Sequence, residues 1–194
     1  MLVAVAAILK SVVHFVEARA MSAATRLTNF LSLSQTPYRL VQHRHTETAA
    51  DSAHAAHIPT PQVVKSVLLR DRTDGHYLMA LAPACNRVEL GWVRKGISVD
   101  PVLAKEAELA EVFPDCEIGA VPGFGQAYSL DMVWDDDLAQ HPSLFFEAGD
   151  HRDLIEIEQY DFHRLFDGFP HAMISQPSDS YLAYHSYEFW GETH

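Results

Sequence analysis

One cation stands where a strand should be apolar. Residues 63–70 read Val-Val-Lys-Ser-Val-Leu-Leu-Arg, and because side chains alternate along a strand, Lys65 shares a face with Val63, Val67 and Leu69. An ammonium in that setting must snorkel to water, find a partner, or serve a cavity. The third option makes Lys65 a candidate catalytic residue. A second candidate is the run Gly119-Ala120-Val121-Pro122-Gly123-Phe124-Gly125. Glycine accepts conformations closed to other residues, so the backbone N–H groups of such a loop can approach a ligand and bind an oxyanion or a carbonyl. Three glycines and a proline also make an ordinary tight turn. No Gly-Lys-Ser/Thr follows, so the loop is not a nucleotide-phosphate loop. A strand rather than a helix is expected after it, which argues against a dinucleotide fingerprint.

Other polar groups carry weaker signals. Gly149-Asp150-His151 is either an acid/base or ligand pair or a turn with solvated side chains, and Asp135-Asp136-Asp137 reads as a solvated turn with a helix cap. Twelve histidines raise the question of metal. His43 and His45 would face one way on a strand, and His54 and His57 one way on a helix. No His-Glu-x-x-His and no finger spacing occurs, so no metal is expected. The absence of Gly-x-Ser-x-Gly removes support for a serine-hydrolase elbow. Cys85 and Cys116, with no Cys-x-x-Cys spacing, read as buried small apolar residues in a reducing, cytoplasmic setting.

A chain of 194 residues, 48% hydrophobic and 21% charged, fits one globular domain. Its charge is divided along the sequence: residues 1–105 hold 12 Lys/Arg against 7 Asp/Glu, whereas residues 106–194 hold 2 against 19. Any phosphate contact should come from the first half, and the acidic half argues against wrapping a long duplex. Contact with one end of an RNA remains compatible. The start, Met1–Ala20, lacks a basic residue before its apolar run and is interrupted by Lys10 and His14. It reads as an extension, with Met21 a candidate start, or next as a packed amphipathic helix, rather than as a signal peptide or a membrane span.

The elements that must position these groups follow from periodicity. Residues 22–34 carry Leu27, Phe30, Leu31 and Leu33 on a helical stripe. A short strand from Tyr38, a helix over 47–57 capped by Thr46, and a strand over 63–70 follow. Asp71–Gly75 turns into a hairpin partner over 76–81. Residues 88–92 read as a short strand, and 102–113 as a helix with Pro101 at its first turn. Strands over 127–134, 143–148 and 154–157 and a closing helix around Phe162, Leu165 and Phe166 complete a domain over 21–169. Residues 170–194 read as a tail. Strands mixed with separate helices imply an α+β fold around a mixed or antiparallel sheet.

These pieces, in this order, resemble the YbaK/ProX/EbsC aminoacyl-tRNA editing family. The resemblance covers about residues 38–167 and rests on Thr48-Ala-Ala…Ala56-His-Ile-Pro, Val63-Val-Lys65-Ser-Val-Leu-Leu, Gly119–Gly125, Val133-Trp-Asp135-Asp-Asp-Leu138 and Phe145-Phe-Glu-Ala-Gly149. It implies a compact, barrel-like mixed sheet with surrounding helices, and hydrolysis of the ester between a wrong amino acid and the 3′ end of tRNA. Lys65 would orient the substrate near the terminal phosphate, and the loop from Gly119 would hold the acyl carbonyl. Water, helped by a substrate hydroxyl, would be the nucleophile, with no metal or organic cofactor. Gly149, Asp150 and His151 match a pocket segment whose residue roles vary. The implied partners are the acceptor end of mischarged tRNA and an aminoacyl-tRNA synthetase that delivers it; no membrane is implied, and a monomer is the default. The family's loop usually reads Gly-x-x-x-Pro; here Gly123 holds the proline position, which is expected to widen or reshape the pocket. Two other functions are compatible with the same residues: a catalytically quiet binding module, or a hydrolase of a small aminoacyl ester.

Overall fold

The computed structural model describes residues 23–183; the expected extension over 1–20 lies outside them. Helix α1 (Thr25–Leu33) leads into β1 (Arg39–Gln42), α2 (Ala49–Ala55), β2 (Val63–Asp71), β3 (Tyr77–Pro83) and β4 (Asn86–Val88). Then come α3 (Leu90–Ile97), β5 (Pro101–Leu103), α4 (Glu106–Val112), β6 (Asp131–Asp135), β7 (Ser143–Glu147), β8 (Asp153–Glu158), α5 (Gln159–Phe166), β9 (His171–Ala172) and β10 (Ser175–Pro177). Eight strands form one sheet in the order β1-β8-β7-β2-β3-β6-β9, with β5 also on β2, and β10 pairs β4 in a two-stranded sheet. The β2–β7, β3–β6 and β6–β9 ladders are parallel and the rest antiparallel, so the expected mixed α+β sheet is present. Among the described residues no ladder joins β1 to β9, so the sheet is open between its end strands.

Alternation along β2 and its neighbours builds two faces. Val64, Leu68, Met79, Leu81, Trp134 and Phe146 point into the main core, which α1, α5 and the Phe124 loop cover. The opposite face carries two smaller clusters: Val63, Phe145 and Leu154 under Ala53 of α2, and Leu69, Ala80 and Val133 under Val93 of α3 and Ile174. Lys65 lies on this second face between Val63 of one cluster and Val67 of the other. The space between the two covering elements is what a lysine in an apolar strand requires.

Several local expectations are corrected. Thr48, not Thr46, caps α2: its hydroxyl accepts from Asp51 N at 3.1 Å, while Thr46 is buried 2.8 Å from Ser52 Oγ. Leu33 is 86% exposed, because the helical repeat from Leu27 and Leu31 passes it by. The strand expected over 88–92 stops at Val88, and helix α3 follows, with Val93 as its buried anchor. The helix expected from Pro101 is instead strand β5, paired to Leu69–Asp71, and α4 starts only after Lys105, whose N–H is taken by Glu108 Oε2 at 2.6 Å. A 3₁₀ turn over Gly125–Tyr128 shortens the next strand to Asp131–Asp135.

The expected tail does not begin at residue 170. His171–Ala172 extends the main sheet beside Trp134, Ser175–Pro177 pairs Asn86–Val88, and Ile174 is fully buried. Asp135 holds this return in place. It was expected in a solvated turn, but it is fully buried; it caps Asp137 N at 3.0 Å and accepts from Ile174 N at 2.9 Å and Ser175 Oγ at 2.7 Å. A buried carboxylate with three donors is satisfied, and it fixes the chain that reaches it.

Candidate active site

A gap in the edge of β2 creates the site. On that edge β7 pairs only Val63–Val64, and β5 only Leu69–Asp71. Residues 65–67 between them have no strand neighbour on that side. The result is a cleft of about 260 Å³ whose walls include Lys65, Ser66, Gly119, Val121, Glu147 and His151, with Thr48, Ala49 and Ser52 across from them. Glycines from the 119–125 loop close the gap from the core side. At Gly123 a Cβ would stand 2.6 Å from Phe146 Cδ1 and 3.1 Å from Ser66 Oγ, so only glycine fits there. Phe146 occupies the space a side chain at 123 would take.

Lys65 is half-buried and donates from Nζ to the backbone carbonyl of Asn86. Burial pulls its pKa below the ordinary lysine value, only partly offset by Cys85 beside it. Asn86 is itself fixed, since its Nδ2 donates to Ser175 Oγ at 3.0 Å and Ser175 donates to Asp135. The return after residue 170 thus buttresses the lysine. One Nζ proton is engaged by Asn86, and the remaining two can meet a ligand.

The loop presents one donor. Ala120 N bonds Glu117 O at 3.0 Å and Val121 N bonds Gly119 O at 2.9 Å, so both are engaged within the turn. Among the described residues the Gly119 N–H has no acceptor, and Gly119 is exposed in the left-handed region at φ +90°. A Cβ on Gly119 would meet the His151 ring at 3.6 Å. His151 in turn lies against Ile118 O through Nε2 at 2.9 Å, and its own backbone has φ +58°.

The Gly149–His151 turn is organised by a residue the sequence reading passed over. The N–H groups of Gly149, Asp150 and His151 donate to Glu147 Oε1 at 3.1, 3.2 and 3.0 Å. Burial raises the Glu147 pKa above the ordinary carboxylate value, against the pull of those three donors. Gly149 O accepts Glu117 N at 2.8 Å, which ties this turn to the start of the glycine loop.

Of the residues singled out from sequence, Lys65, Gly119, Val121 and His151 meet in the cleft wall. Ala120, Pro122, Gly123, Phe124 and Gly125 are buried behind it, and Phe124 packs on Phe146 at 4.7 Å between ring centroids. Gly149 is wedged between Ala24 and Cys116, and Asp150 Oδ1 accepts from Arg152 N and Asp153 N, so both shape the turn rather than line the cleft. Glu147, Ser66, Thr48 and Asn86 were missed. Glu147 lay within the Phe-Phe-Glu-Ala-Gly motif, but nothing in the sequence singled out Asn86. Cys85 is buried as expected, whereas Cys116 is only half-buried; burial raises the pKa of both thiols and pushes that of Cys116 to about 12, which makes them poor nucleophiles.

Beyond Lys65 lies a second recess of about 480 Å³, bounded by Thr48, Ala49, His54, Cys85, Ser178 and Tyr181. Lys65 is a wall of both cavities.

The profile of the aminoacyl-tRNA editing domain matches residues 43–165, and the chain belongs to that family. No curated protein matches it. Among solved structures it is similar to the hypothetical protein APE2540 (TM-score 0.69, 18% identity, 78% of this chain and 99% of that one). It is also similar to a proposed trans-editing enzyme for prolyl tRNA synthetase (TM-score 0.66, 24% identity, 79% and 96%). At these identities the likeness is one of fold. Among the described residues no helix is long and apolar enough to cross a membrane.

Proposed function

We propose that the chain is a trans-editing deacylase that hydrolyses the 3′ ester of mischarged aminoacyl-tRNA. The observation that carries this reading is the meeting in one cleft wall of Lys65 and Gly119, whose N–H has no acceptor among the described residues. The acyl group enters the cleft with its carbonyl oxygen toward Gly119 N, where a donor stabilises the charge that develops on that oxygen as water adds. The Lys65 ammonium, at the divide between the two recesses, holds the substrate near its terminal phosphate, and the nucleoside side extends toward Tyr181. Water adds to the acyl carbon, and the ribose oxygen leaves with a proton, giving free amino acid and tRNA. An ester is already activated, so positioning and carbonyl polarisation supply much of the rate. Half-burial of Lys65 strengthens its attraction for phosphate relative to a fully hydrated ammonium.

The test is deacylation of alanyl-, seryl-, cysteinyl- and threonyl-tRNA by wild type and Lys65→Ala. Release of one amino acid by wild type alone supports the reading and names the substrate. No release from any of the four by a folded wild type refutes it for these substrates and favours a binding module.

A further inference from the structure

The cleft holds a carboxylate with one oxygen fixed and one available. All three turn N–H groups reach Glu147 Oε1, and among the described residues none reaches Oε2, although Glu147 is a wall of the cleft. The backbone donors orient the carboxylate and stabilise its charged form without closing off its second oxygen. The same cleft is lined by Lys65 and Gly119, which carry donors, and by the small residues Ala49 and Ser52. A substrate in this cleft therefore meets donors at Lys65 and Gly119 and two carboxylates in the wall: Glu147, held by its turn, and the exposed Glu47, 3.7 Å from His45.

An aminoacyl ester has the complementary pattern: an acceptor carbonyl one bond from the carbon that bears an ammonium. We propose that Glu147 Oε2 binds the α-ammonium of the aminoacyl group, so that the cleft selects esters of amino acids over other acyl esters. This rests on the deacylase reading above, and it adds the residue that recognises the ammonium of the acyl group. The pairing also places the carbonyl. An ammonium held at Glu147 leaves the acyl carbon only two bonds away, which keeps its oxygen near the Gly119 loop, itself tied to the Glu147 turn through Glu117 N and Gly149 O.

The test uses the four aminoacyl-tRNAs and the 2-hydroxyacyl counterpart of each, made by nitrous acid deamination. The exchange of ammonium for hydroxyl removes the charge at nearly constant shape. Rates of wild type and Glu147→Gln are compared, each divided by the uncatalysed rate of the same ester, because the ammonium itself activates the ester. Gln keeps an acceptor for the three N–H groups, so the turn is retained; a melting curve matching wild type checks this.

Wild type should favour the aminoacyl ester in kcat/KM by about ten- to a hundredfold, the range of one hydrogen bond between charged groups. Glu147→Gln should lose that factor on the aminoacyl ester, leave the hydroxyacyl ester unchanged, and bring the ratio near one. An equal fall on both esters would assign Glu147 to the turn alone and overturn the proposal, as would no fall on either. A wild type inert toward both ester series would remove the deacylase reading for these substrates and the proposal with it. That outcome differs from an active wild type indifferent to Glu147→Gln, which removes the proposal alone.

Discussion

Replacing Gly123 with alanine should damage both stability and turnover, and the size follows from the packing. The new Cβ would sit 2.6 Å from Phe146 Cδ1, 3.1 Å from Cε1 and 3.1 Å from Ser66 Oγ. Ordinary carbon contacts lie at about 3.5–4.0 Å, so the ring or the loop must shift by about 1 Å. Phe146 cannot easily give way. It is fully buried, tilted against Phe124 at 4.7 Å and stacked on Phe166 at 5.8 Å. Overpacking of this kind costs about 1–3 kcal/mol, which for a chain of this length corresponds to a melting point lower by roughly 2–12 °C. If the loop yields instead, the Gly119 N–H moves, and a displacement of about 1 Å at a positioning group can cost about a hundredfold in rate. Thermal and urea unfolding, with deacylation in parallel, measure both effects. Adding Phe146→Leu should recover part of the loss, so that the two penalties add to less than their sum. Proline at 123, the residue usual in the family, carries the same Cβ and more atoms, and should be worse than alanine. A Gly123→Ala protein that melts and turns over like wild type would refute the reasoning, as would a double variant whose penalties add in full.

Lys65→Met should abolish deacylation while the melting point stays level or rises, because a half-desolvated ammonium is replaced by an apolar chain; a fall of several degrees would contradict this. The ammonium exists only below its pKa, which burial lowers, so kcat/KM should fall as pH rises, at a lower pH than an exposed lysine would give. The spontaneous hydrolysis of the ester must be subtracted, and a flat alkaline profile would exclude Lys65 as the charged group. Thr48→Ala removes the α2 cap and should cost about 1 kcal/mol in urea unfolding, and an unchanged midpoint would contradict that role. Cys116, with its thiol pushed to about 12, should resist alkylation at pH 8, and a Cys85→Ala/Cys116→Ala protein should keep its turnover; loss of turnover in a folded double variant would contradict a mechanism without a thiol.

The sequence by itself determined the apolar strand with Lys65 inside it, the hairpin that follows, the glycine loop and the mixed α+β class. Each of these rests on a local signal: period-two alternation, a Thr-Asp-Gly turn, or residues that release backbone constraint. The order of those signals sufficed to place the chain near a family. Signals of the same local kind misled where a distant partner decided the outcome. Pro101–Leu103 became a strand because Leu69–Asp71 offered it an edge, and residues 171–177 joined the fold because the buried Asp135 and the 86–88 edge captured them. The site was decided in the same way. The cleft exists because β7 and β5 leave residues 65–67 of β2 without a neighbour, and no single segment contains that gap. Gly123 looked like added freedom beside the cleft; Phe146, 23 residues later, made it a tight contact. The acceptor at Glu147 acquires its geometry only when the next turn folds back and donates three N–H groups to one of its oxygens. Periodicity reports which face of an element is apolar; which polar groups face one another across a cavity depends on contacts far apart in the chain.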